Sequence, residues 1–220
     1  TKKSLTNNSQ MVAPRIYVTK TQSFKLFTSV GQENDFTIFD ADSADGKNWS
    51  NFKLFEPAAN MTAPFIPVLV ETEQGDIVVF QARYSSEQNQ AATYQLYSTF
   101  YDSVSREWSS PKLITDAASF KRRSSKGFTQ FNNQMPYLYN FKGNVYLSWE
   151  RTELNTRQTK INIVQINSEG VVPGTADELS ARGSRPILFD FNNELYVTWF
   201  DTNTAYYAKK TATAWREFSL

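Results

Sequence analysis

Residues 136–151 read PYLYNFKGNVYLSWER, and residues 186–201 read PILFDFNNELYVTWFD. Set proline on proline, the two stretches share one pattern. Apolar and aromatic residues lead into a polar turn, and a second alternating run ends on tryptophan and charged residues. Alternation with period two marks half-buried strands, and two such runs around a short turn make a hairpin. Working outward, Pro14 and Pro64 also open or closely precede apolar runs, so the four prolines stand 50, 72 and 50 residues apart. A third strand follows in each unit (FTIFDAD, TYQLYSTFYD, KINIVQIN, TAYYAKK). In three units a fourth carries tryptophan: Trp49, Trp108 and Trp215. Four strands per unit of about 50 residues is the arrangement of propeller blades.

The predicted fold is therefore all-β, a β-propeller of four-stranded antiparallel blades. Four blades are countable, at about 13–58, 61–115, 134–181 and 183–220, behind an N-terminal extension over 1–12. Two readings stay open: a fifth blade hidden in 1–12 and the strand-poor connection 116–134, or a place in a larger, six-bladed ring. A sandwich or barrel is the competing architecture, and the internal repeat weighs against it.

Composition narrows the chemistry. Lys plus Arg is 23 against 22 for Asp plus Glu, without the basic excess that nucleic-acid binding needs. Aromatic residues make up 15% of the chain, far above a disordered polymer. No apolar run is long enough to cross a bilayer as a helix. Cysteine and histidine are both absent. That excludes disulfides, thiolate nucleophiles, imidazole acid–base catalysis and the usual zinc sites. Catalysis would have to run on Asp, Glu, Tyr, Lys or Ser, or on an oxygen-ligated ion. Glycoside chemistry on carboxylates fits that restriction best. No cofactor is implied.

In a blade of this kind the start of strand one and the end of strand two lie at the same end of the ring. Strand-one starts carry Arg15, Phe65, Pro136 and Arg185, and strand-two ends carry Arg83, Glu150, Arg151 and Asp201. This end is the candidate functional face. Glu150 and Asp201 are its candidate catalytic carboxylates, and Arg15, Arg83, Arg151, Arg185, Trp149 and Trp199 its candidate ligand contacts. Against that, lone charges at strand ends are usually only solvated, and such tryptophans are more often core. DADSADG at 40–46 sets Asp40, Asp42 and Asp45 near calcium-loop spacing, one residue out of step; the plainer reading is a capped turn. Lys121, Arg122, Arg123 and Lys126 cluster in the connection.

The stretch APFIPVLVETEQGDIVVFQARY at 63–84 resembles the opening blade of the sialidase (neuraminidase) family. Ile66, Pro67, Gly75, Phe80 and Arg83 match that family's pattern. DADSADGKNW resembles its Asp-box turn, with Gly46 and Trp49 in register and Ala44 where the family has Asp. The departures fall on the site. The family's first substrate-gripping arginine falls on Phe65, its acidic residue at or near Gln81, and its Tyr–Glu nucleophile pair has no counterpart. The resemblance therefore implies a degenerate or partial sialidase-like module, secreted or on the cell surface, that binds a carbohydrate or protein partner. The alternative is an active exo-glycosidase working with carboxylates. Neither nucleic-acid binding nor membrane insertion is expected.

Overall fold

The computed structural model describes residues 10–32, 35–50, 53–55, 62–86, 89–115, 123–124, 127–128 and 131–219. Their regular structure is entirely β. Blade 1 runs β1 (Gln10–Val18), β2 (Phe24–Gln32), β3 (Asp35–Ser43) and β4 (Lys53–Phe55). Blade 2 runs β5 (Thr62–Glu71), β6 (Gly75–Ser86), β7 (Asn89–Asp102) and β8 (Glu107–Trp108), with β9 (Lys112–Leu113) also on β7. A small hairpin, β10 (Arg123–Ser124) with β11 (Gly127–Phe128), interrupts the connection. Lys121, Arg122 and Lys126 lie outside the described residues. Blade 3 runs β12 (Phe131–Phe141), β13 (Asn144–Glu153), β14 (Thr159–Asn167) and β15 (Gly170–Val171), with β16 (Asp177–Arg182) on the same edge of β14. Blade 4 runs β17 (Ser184–Phe191), β18 (Glu194–Asp201), β19 (Thr204–Lys210) and β20 (Trp215–Ser219).

Side-chain alternation builds the seams between blades, since successive residues of a strand point to opposite faces of its sheet. Phe27 and Ile38 of blade 1 pack on Leu69, Val78, Phe80 and Ala82 of blade 2. The other face of blade 2, with Val68, Ile77 and Val79, meets Leu138, Leu147 and Trp149 of blade 3. The other face of blade 3, with Tyr146, meets Leu188, Leu195, Val197 and Trp199 of blade 4. The hairpins of blades 3 and 4 close on two-residue loops, Lys142–Gly143 and Asn192–Asn193, with positive φ at all four residues. That is the turn geometry whose twist matches an antiparallel pair, and Gly and Asn tolerate it.

Every first strand carries the same irregularity. Ala13, Ile66, Met135 and Arg185 have φ between 49° and 55°, each stands just before a proline, and the ladder slips at each. Proline has no N–H for the ladder, so a bulge absorbs it. Left-handed backbone is costly for any residue with a Cβ, on the order of 1–3 kcal/mol, and most so for β-branched Ile66. This corrects the phase of blade 2: its repeating proline is Pro67, not Pro64. It also moves Arg15, which lies two residues past its bulge and corresponds to Tyr137 and Ile187, not to Arg185.

Candidate functional site

The bulges decide what stands at the mouth. Opposite the residue preceding each bulge, strand two presents Ser29, Gln81, Glu150 and Phe200, one from each blade. On the faces assigned above, the first three point at the next blade. There the left-handed residue turns its N–H back toward them. Gln81 Oε1 accepts the Met135 amide at 2.9 Å, and Glu150 Oε1 accepts the Arg185 amide at 2.6 Å. These are one clasp repeated at two seams. Ser29 is too short to make it, and its buried Oγ has no partner among the described residues.

Glu150 therefore places a carboxylate where blade 2 has a neutral amide. Burial pushes its pKa above the ordinary value of 4.5, opposed by the Arg185 amide and guanidinium. Asp201 extends from β18 on the same face as Trp199, so it opens on the same seam from the other side. The Thr202 hydroxyl donates to its Oδ1 at 3.2 Å. Glu150 and exposed Arg185 adjoin at the mouth of the seam between blades 3 and 4, and Asp201 ends β18 on the face turned toward that seam.

The other candidates are not brought there. Trp149 and Trp199 are buried, with their indole N–H groups bound to Asn133 Oδ1 at 2.8 Å and the Arg182 carbonyl at 3.2 Å. They are core pillars, not ligand platforms. Arg151 points away from Glu150, lies 3.7 Å over the Phe131 ring and pairs with Glu178 at 2.7 Å. Burial works against ionisation of Glu178, but Lys160 and Arg151 outweigh it and hold its carboxyl below the usual range. Arg83 spends its Nε on the Tyr94 hydroxyl at 3.3 Å. Arg151→Lys is expected to lose the planar stack and cost about 1 kcal/mol of stability in urea unfolding, with glycan affinity unchanged. A large affinity loss at unchanged stability would return Arg151 to the ligand site.

The 40–46 segment runs from the end of β3 into a bend after Ser43. Asp45 Oδ1 accepts the Lys47 and Asn48 amides, both at 2.8 Å, and its Oδ2 takes the Asn48 side chain at 2.7 Å. These hydrogen bonds hold its carboxyl far below the usual range. Among the described residues no group of three or more acidic side chains is arranged to hold a metal, so Asp40, Asp42 and Asp45 do not form a calcium cage. Sequence reading missed the clasp, although Gln81 and Glu150 could have been matched once Pro67 is aligned with Pro136.

No family model matches the sequence, and no curated protein is similar to it. Solved structures are. The family 117 glycoside hydrolase Zg3597 of the marine bacterium Zobellia galactanivorans superposes with a TM-score of 0.60 at 12% identity, over 95% of this chain and 69% of its own. An α-L-arabinofuranosidase from Lactobacillus brevis gives 0.61 at 13%, over 96% and 73%. A GH43 endo-arabinanase from Bacillus licheniformis gives 0.53 at 20%, over 92% and 71%. These neighbours are not sialidases, so the sialidase likeness of 63–84 reaches the architecture and no further. At such identities the likeness shows the fold alone, and the chain is a β-propeller of the kind on which these enzymes carry out glycoside hydrolysis.

Proposed function

We propose that the chain is a glycoside hydrolase acting on a neutral, pentose-containing glycan, with Glu150 as general acid and Asp201 as the second carboxylate. The observation that supports it is Glu150: a carboxyl at an open seam, clasped by the next blade, with its proton affinity raised by burial. A general acid must still hold its proton at the working pH, and desolvation shifts Glu150 in that direction. Glu150 would protonate the departing glycosidic oxygen while Asp201 takes a proton from the attacking water. The arginines support a neutral sugar. Gripping a sugar carboxylate takes several free guanidinium forks, and Arg151 is committed to Glu178 and the Phe131 ring. The pentose class rests on the likeness to the arabinan-active structures.

The test is hydrolysis of aryl α-L-arabinofuranoside, aryl β-xyloside and linear arabinan, with an aryl sialoside alongside. Turnover is expected on a pentoside and none on the sialoside; the reverse pattern overturns the proposal. A second reading, glycan binding without turnover, draws support from Gln81, a neutral amide in the position equivalent to Glu150. Calorimetric binding of arabino-oligosaccharides with no hydrolysis would favour it.

A further inference from the structure

A cavity of about 600 Å³ opens at the end of the molecule opposite the mouth, on the seam between blades 2 and 3. That volume lies within the range of small-molecule sites. The last rungs of two facing sheets form its floor: Ile77 with its ladder partner Phe100 in blade 2, and Val145 with its partner Ile166 in blade 3. The reason for the opening lies in the side chains at equivalent positions, counted back from the clasp residues. Between blades 1 and 2, Lys25 meets Asp76 at 2.5 Å. Between blades 3 and 4, Tyr146 and Leu195 pack in one cluster, and the Tyr139 hydroxyl donates to Asp190 beside them. Between blades 2 and 3 the same positions hold Ile77 and Val145. Two short aliphatic side chains fill less of the gap than an ion pair or a tyrosine ring.

The wall is polar and comes from four turns. Lys20 belongs to the β1–β2 turn, Glu73 and Gln74 to the β5–β6 turn, Lys142 to the β12–β13 turn, and Asn167 leads into the β14–β15 turn. Lys142 Nζ donates to the Asn193 carbonyl at 3.1 Å, and Asn167 Oδ1 accepts the Glu169 amide at 2.9 Å. The Lys20 ammonium, the Glu73 carboxylate, the Gln74 side-chain amide and Asn167 Nδ2 have no partner among the described residues. We propose that this cavity is a binding site for a neutral oligosaccharide, separate from the mouth. Sugar hydroxyls both donate and accept, and the wall offers both: ammonium and amide donors, carboxylate and amide acceptors. The C–H face of a sugar ring can lie on the apolar floor, with Phe100 as its aromatic element. An acidic ligand would meet Glu73, and a cationic one Lys20 and Lys142, so the mixed wall discriminates against either charge. The site does not depend on Glu150. Val145 and Glu150 stand five residues apart on β13, about 17 Å, and the odd spacing turns them to opposite seams.

The experiment is amide chemical-shift mapping by NMR on the intact, nitrogen-15-labelled chain. The probes are arabinotriose, xylotriose, cellotriose and maltotriose, each titrated to about 20 mM to cover millimolar dissociation constants, with trigalacturonic acid as the acidic comparator. At least one neutral probe is expected to shift the amides of Gln74, Gly143 and Ser168 saturably. Glu73→Ala and Gln74→Ala should each weaken that titration about tenfold, the loss expected for a hydrogen bond to a ligand hydroxyl. Both should leave the thermal midpoint and any turnover of the aryl pentoside unchanged, so this site and the catalytic reading stand or fall separately. The proposal is overturned by the absence of a saturable shift with every neutral probe, or by shifts confined to the surroundings of Glu150 and Asp201. Tighter binding of the acidic trisaccharide, or wild-type affinity in both variants, overturns it as well.

Discussion

Glu150→Gln is expected to lower turnover of the pentoside substrate by about a hundredfold to ten-thousandfold, the range for removing a positioned general acid. The same change is expected to stabilise the fold at neutral pH. Gln81 shows why: at the preceding seam an amide fills the equivalent slot and accepts the neighbouring N–H without carrying charge. In the wild type a carboxylate must be partly desolvated to make that bond. The folded pKa of Glu150 lies above its unfolded value near 4.5. Its favourable contribution is therefore complete below that value and is lost as pH rises through the folded pKa. Thermal midpoints of wild type and variant should then run together below the ordinary carboxyl value of 4.5 and separate as pH rises above it, the variant higher. Loss of activity with a gain in stability is the signature of a residue retained for chemistry. Full turnover in a stabilised Glu150→Gln chain would reduce Glu150 to a clasp and leave the binding-module reading standing.

The clasp also explains what can and cannot be read along the chain. The hairpins of blades 3 and 4 are legible because Lys142–Gly143 and Asn192–Asn193 are turn dipeptides between clean alternations. Blade 2 is ambiguous, because Pro64 and Pro67 both precede apolar residues. What separates them is a backbone property, the left-handed Ile66 before Pro67, which composition does not encode. Arg15 follows its proline whereas Arg185 precedes its own, so grouping both as strand starts places Arg15 two positions out, past the bulge at Ala13.

At the candidate site, side-chain directions set by a residue's own strand are legible, and contacts made with distant partners are not. Glu150 and Asp201 reach one seam because the Trp–Glu and Trp–Phe–Asp endings of β13 and β18 put them on facing sides. Arg151 looks equally available in sequence. Its partners, Phe131 and Glu178, come from β12 and β16, and only the assembled blade brings them together. Trp149 and Trp199 follow the same logic. Their position before charged residues suggests display, whereas the acceptors at Asn133 and Arg182 let their N–H groups be buried at no cost in lost hydrogen bonds.

A large expected loss of stability comes from a residue with no side chain. Gly183 joins β16 to β17 beneath the Trp199 indole. A Cβ placed on it would stand 2.0 Å from Trp199 Cδ1, 2.8 Å from Nε1 and 2.9 Å from the Phe200 carbonyl oxygen. The indole has little room to yield: it is fully buried, stacked on Tyr206 at 5.7 Å and bound through Nε1 to Arg182. Gly183→Ala should therefore overpack the seam and cost about 3 kcal/mol or more. Trp199→Ala should cost about 3–5 kcal/mol through the cavity it leaves in the cluster of Leu188, Leu195 and Val197. The two lesions are opposite in kind, one methyl too many and one indole too few, at the same place. Combined, the methyl added at Gly183 enters space that Trp199 has vacated, so the double variant should lose about 1–3 kcal/mol less than the sum of the singles. Urea unfolding midpoints at constant slope give all three values. Strict additivity would mean that the backbone shifts to admit the added methyl without disturbing Trp199, and that the seam is not packed as described.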